Sequence, residues 1–111
     1  MTTLGAEQSD IFSLSCGSAG NCAAGGEYNK INGGALRAFV VDETAGTWGN
    51  AEKVQGLAKL SGRRGSGIAS VSCSSPGYCA AVGSYGDSSG NNQAFAVDET
   101  AGTWGVALEI K

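Results

Sequence analysis

At 111 residues, with 19 Gly, one Pro, no His and only 15% charged residues, the chain is one domain at most by length, with enough apolar content for a modest core. So many glycines exclude a helical protein, because Gly costs about 1 kcal/mol relative to Ala inside a helix. The net charge of -3 comes from scattered residues and leaves no footprint for nucleic acid or an anionic membrane; no apolar run approaches the roughly 20 residues of a membrane span.

The first ten residues, MTTLGAEQSD, have neither a basic region nor an apolar core of the kind that directs export. The expectation is a cytosolic chain, or a mature or excised form whose signal peptide is not part of this sequence. Short apolar or β-branched runs bounded by Ser, Gly, Pro and Asn then predict strands at residues 11–16, 22–28, 36–42 and 47–54. A Gly-rich stretch, GLAKLSGRRGSG, reads as a flexible linker. Four more strands follow at residues 68–73, 79–85, 93–98 and 103–110, which makes eight strands with little or no helix.

The second set copies the first. Cys16 maps to Cys73 and Cys22 to Cys79, and VDETAGTWG at 41–49 returns letter for letter at 97–105. One residue is lost between NKINGGALRA and GDSSGNNQA, where loop length varies at little cost. The repeats divide the chain at 1–55 and 56–111, the second part carrying the linker. Repetition on this scale means one supersecondary unit stacked on its copy. CAAV, AFVV and AFAV are apolar at consecutive positions, whereas a strand with one wet face alternates. Both faces of each sheet are therefore expected to be covered. The predicted fold is all-β, two four-stranded antiparallel propeller blades per chain.

The turn DETAGTW resembles a variant of the Asp-box, S-x-D-x-G-x-T-W, of sialidase-like propeller blades. The match covers Gly102, Thr103 and Trp104, and Gly46, Thr47 and Trp48 in the first copy. Gly stands two residues before Trp rather than three, and the leading Ser is absent. The whole unit also resembles tandem C-x5-C repeats in secreted or surface proteins of soil bacteria. In this reading Trp48 and Trp104 pack under the turn between the third and fourth strands of each blade, supplying area that a Gly-rich sheet lacks.

Each C-x5-C pair flanks the first turn of its unit, so antiparallel strands place the two sulfurs opposite one another. Disulfides Cys16–Cys22 and Cys73–Cys79 follow, although four cysteines allow three connectivities. A zinc site is disfavoured by the spacing and by the lack of His, and no cofactor is expected. Such short loops staple each blade rather than the whole fold, and they imply an oxidising compartment, outside the cell or on its surface.

Two blades do not close a ring, since propellers have four to eight. The outer sheet faces would leave an apolar patch in water, so head-to-tail association of identical chains is expected, with a trimer favoured over a tetramer. Catalysis is not expected: without His there is no Ser-His-Asp or Cys-His set. Neighbouring carboxylates such as Asp42 and Glu43 point to opposite faces of a strand. Two-blade chains that assemble into six-bladed sugar-binding lectins offer an architectural likeness. Sugar sites use an aromatic face with carboxylate or guanidinium partners, which singles out Tyr28 and Tyr85, with Glu27, Asp87, Arg63 and Arg64. The plainer reading is that the tyrosines cap the sheet edge and the arginines solvate a loop. GRRGSG lacks the pattern of a phosphate-binding loop, and YGDSSGNN lacks the closing Glu of a calcium loop. Two functions stay open, a carbohydrate-binding propeller and a structural or self-assembling one, natural or engineered, with no ligand of its own.

Overall fold

A computed structural model describes residues 5–30, 35–61 and 65–110. The first repeat forms β1 (Ala6–Ser18), β2 (Asn21–Lys30), β3 (Arg37–Thr44), β4 (Thr47–Trp48) and β5 (Glu52–Lys53). A short helix, α1 (Leu57–Ser61), leads into β6 (Ser66–Ser75), β7 (Tyr78–Gly86), β8 (Asn92–Thr100), β9 (Thr103–Trp104) and β10 (Leu108–Ile110). Each repeat is an antiparallel meander, giving two five-stranded sheets.

The fourth strand of each unit, expected to be continuous, is broken. Gly49 N–H donates to the Asp42 carbonyl and Gly105 N–H to that of Asp98, each at 2.8 Å. Pairing then lapses until β5 and β10 resume it. The linker is also more ordered than expected, because Leu57 of α1 is buried in the core. The stretch at residues 62–64 and the middle of the NKINGGALRA loop, residues 31–34, lie outside the described residues.

The nine repeated residues build a two-residue turn in which Ala45 and Gly46, like Ala101 and Gly102, have positive φ. This is the backbone twist that a tight hairpin needs, and Gly adopts it without penalty. The turn is tied to its neighbour, since Gly46 N–H donates to the Gly20 carbonyl and Gly102 N–H to that of Gly77. Cys16 faces Cys22 and Cys73 faces Cys79 across the paired strands, with Cα separations of 3.8 and 4.0 Å, and both disulfides form as expected. Two crosslinks in an all-β chain fit an oxidising compartment. No described helix is long and apolar enough to cross a membrane.

Each sheet has two unlike faces. The forward face of the first sheet carries Ala23, Gly25, Ala38 and Val40; its rear face carries Ile11, Leu14, Tyr28 and Phe39. The second sheet lays its own rear face, with Ile68, Val71, Tyr85, Phe95 and Val97, on the forward face of the first to form the main core. Gly25 makes room for this: a Cβ there would stand 2.6 Å from Ile68 Cγ2. Two hydroxyls pin the stacked strands, Ser13 Oγ accepting from Val71 N–H and Ser15 Oγ from Cys73 N–H, both at 3.0 Å. Forward therefore meets rear, a head-to-tail relation between repeats rather than a two-fold one.

Candidate functional site: two clefts between the sheets

Both tyrosines proposed as sugar platforms are inside. Tyr28 and Tyr85 are 1% and 2% exposed, packed against Phe39 and Phe95 with ring centroids 6.1 and 6.3 Å apart. Tyr85 Oη donates to Glu109 Oε1 at 2.7 Å. Burial, that hydrogen bond and the charges of Glu109 and Asp87 push its phenol up to about 12. Burial also raises Tyr28, with Arg37 pulling the other way. Neither ring offers a free face to a ligand within one chain.

Asp87 is occupied with its own loop. Its Oδ1 accepts from Ser89 N–H and Asn91 N–H, and its Oδ2 from Gln93 Nε2, all at 2.9 Å. A short carboxylate closing backbone N–H groups is how Asp shapes a turn, here the one joining β7 to β8. Arg63 and Arg64 lie outside the described residues.

Glu27 does reach a cleft. About 590 Å³ opens between the sheets, with Phe12, Glu27 and Leu36 on one side and Ser66, Ser84 and Asn92 on the other. Phe12 arrives there through a β-bulge. Ile11 pairs with Gly26 and Ser13 with Gly25, which leaves Phe12 unpaired between them. Bulges of this kind redirect a side chain out of the ladder, and Phe12 is accordingly exposed. Gly26 permits the bulge, since a Cβ there would run into the Asp10 carbonyl oxygen. Glu27 lies along Gly67 of β6, and burial, with the charge of Asp10 second, raises its pKa. The floor is fixed by Ala38 N–H donating to Ser66 Oγ and Ser66 N–H donating to the Leu36 carbonyl.

At the opposite rim a narrower cleft of about 280 Å³ is lined by Asn21, Asp42, Glu43, Pro76 and Glu99, among others. Trp104, half-buried against the core, also reaches beyond its own repeat. Its Nε1 crosses to the first sheet and donates to Asp42, 3.2 Å from each carboxylate oxygen. Beside it Glu99 is 4% exposed, and its pKa is pushed up to about 8. Burial is the main cause, followed by a hydrogen bond to Asp42 and the charges of Asp42 and Glu52. The raised pKa favours the protonated form of Glu99 beside the Asp42 carboxylate, to which Trp104 also donates. Trp48, the same letter in the first repeat, is exposed.

Reasoning within one repeat missed this cross-sheet group, because Asp42 and Glu43 do point to opposite faces. The signal was the repeated nine residues, in which the Asp serves the sheet ahead and the Glu and Trp serve the sheet behind. No family model, curated protein or solved structure matches the chain.

Proposed function

We propose that the chain is a lectin-like β-propeller segment, secreted or displayed at a cell surface. It binds carbohydrate in the wide cleft between its two blades and completes its ring with further copies, three rather than four. One observation carries the sugar reading: the Phe12 bulge sets an exposed ring in the same cleft as Glu27, a cleft whose lining also includes Ser66, Ser84 and Asn92. A pyranose has an apolar face that suits an aromatic ring and a rim of hydroxyls that suits carboxylate and amide partners. The role assigned to Glu27 is acceptance of hydroxyl protons, and the activity proposed is binding without catalysis.

The test is a glycan array followed by calorimetric titration of the best binder. Phe12→Ala and Glu27→Gln are each expected to weaken binding about tenfold, the worth of one good contact, with an unchanged fold. Asp87→Asn is expected to leave affinity within about twofold, since that side chain serves its own loop. A chain that binds no glycan, or whose affinity ignores Phe12 and Glu27, refutes the lectin reading. The burial of Tyr28 and Tyr85 favours a second reading in that event, a self-assembling propeller segment with no ligand of its own.

A further inference from the structure

The sheet stacking inside one chain leaves a matching pair of partly open faces at its two ends, the rear of the first sheet being covered at Tyr28 and Phe39 but open at its first strand. Ile11 and Leu14 on the rear of the first sheet are 59% and 58% exposed, while their counterparts Ile68 and Val71 are 1% and 6% exposed against the sheet in front. On the forward face of the second sheet Ala80, Val82 and Ala94 are exposed, whereas their counterparts Ala23, Gly25 and Ala38 are buried.

The polar pins recur as well. Ser13 and Ser15, which accept from β6, have counterparts in Ser70 and Ser72, both exposed. Asp42, which accepts from Trp104, has its counterpart in Asp98, also exposed. Across from them, the N–H groups of Leu14 and Cys16 and the Nε1 of Trp48 hold the positions that Val71, Cys73 and Trp104 hold within the chain. Donors sit at one end of the molecule and their acceptors at the other.

The groove volumes are matched but not copied. Gly25 stands opposite Val40 in the β2–β3 ladder, and their counterparts Val82 and Ala96 stand opposite one another in β7–β8. The bulky member of the pair has moved from one strand to its neighbour. Volume-conserving exchanges of this kind are tolerated in packed interfaces. At the hairpin tip Ser74 replaces Gly17, whose Cβ would overlap the Ser75 backbone, so the tips must stand further apart between chains than within one.

We propose that a second copy of this chain docks the rear face of its first sheet on the forward face of our second sheet, in the register already used within the chain. In that register Asp98 accepts from Trp48 Nε1 of the second copy, and Ser70 and Ser72 accept from its Leu14 and Cys16 N–H groups. Because forward meets rear, the contact is heterologous and repeats until rotation closes a ring. The inference rests on the self-association in the proposed function and is independent of the sugar.

The experiment pairs two surface variants. Leu14→Asp spoils only the rear face and Val82→Lys only the forward face; both positions are exposed, so circular dichroism and the melting transition of the monomer should match the parent. Sedimentation velocity at about 50 μM is expected to give an oligomer for the parent, monomers for each variant alone, and a one-to-one dimer for the mixture, since each retains the face the other lacks. Trp48→Phe, which removes only the Nε1 donor, should weaken parent association about tenfold. A parent that stays at 11.0 kDa overturns the self-association and this interface together. An oligomeric parent whose variants still oligomerise, or whose mixture stays monomeric, overturns the interface and leaves the ring standing.

Discussion

β2 and β7 both run from Cys-Ala-Ala to a Tyr near their ends, yet their surroundings differ. In β2 the residues from Ala23 to Gly26 are buried in succession, while in β7 burial alternates, with Cys79, Ala81 and Tyr85 inside and Ala80, Val82 and Ser84 outside. β3 and β8 repeat the contrast: Ala38, Phe39 and Val40 are all buried, whereas Ala94 is exposed beside buried Phe95. An unbroken apolar run describes a strand covered on both sides: the first sheet has the second on its forward face and the small Tyr28, Phe39 and Ala51 cluster on its rear, whereas the second sheet is covered on its rear face only.

Exchanging counterparts between the two environments breaks the comparison most directly. Ile68→Ala should cost roughly 2–5 kcal/mol, as large-to-small changes in a core do. Ile11→Ala in the monomer should stay within about 0.5 kcal/mol, as exposed sites do. Urea unfolding at low concentration reads the difference, and equal losses at the two positions would deny that the environments differ. If chains associate, the Ile11→Ala loss should grow with protein concentration.

A smaller effect is expected from importing the second-sheet residue into the first. Gly25→Val drives a side chain into Ile68 and should cost about 1–3 kcal/mol by overpacking. The reverse change, Val82→Gly, should cost the monomer no more than about 1 kcal/mol, the penalty of Gly in a strand. Equal costs in both directions would mean that the groove under Ile68 is roomier than the Gly25 contact indicates.

The smallest expected effect is in pH dependence. Glu99 binds its proton more tightly in the folded chain, at about 8, than at the ordinary 4.5. Its contribution is therefore whole below pH 4.5 and is lost as pH rises through about 8. Thermal melts across that window should decline for the parent and flatten for Glu99→Gln, which keeps an N–H donor for Asp42. Glu43→Gln, its counterpart at the unpartnered face, should leave the decline in place. A decline that survives in Glu99→Gln would place its origin elsewhere.

The two rims of the inter-sheet region teach a related lesson. At the rim of the β3–β4 and β8–β9 turns the repeats are identical, and there one sheet must fit the next through Asp42, Glu99 and Trp104. At the opposite rim they differ: Phe12 has Ala69 as its counterpart, Glu27 has Ser84 and Leu36 has Asn92. All six line the wide cleft. Sameness accompanies the packing contact, and difference accompanies the cavity.

Strand positions, the meander order and both disulfides were legible in the letters because they depend on contacts within about 30 residues of chain: turn residues, apolar runs and facing cysteines. The break after Trp48 and after Trp104 was not legible, since a backbone bond from Gly49 to Asp42 leaves no mark in composition. Nor was the ordering of the linker, which depends on a core pocket that accepts Leu57. The tyrosines were read as platforms because Tyr is amphipathic, and only packing against Phe39 and Phe95 turned them inward.

Residue order alone dictated what each repeat is, a stapled antiparallel unit with two unlike faces, because local hydrogen bonding and periodicity need no distant partner. Which of those faces meets what was settled only by stacking. Trp48 and Trp104 have identical neighbours in sequence, yet one is exposed and the other is bonded to Asp42, since an environment belongs to the space around a side chain and not to the chain that carries it.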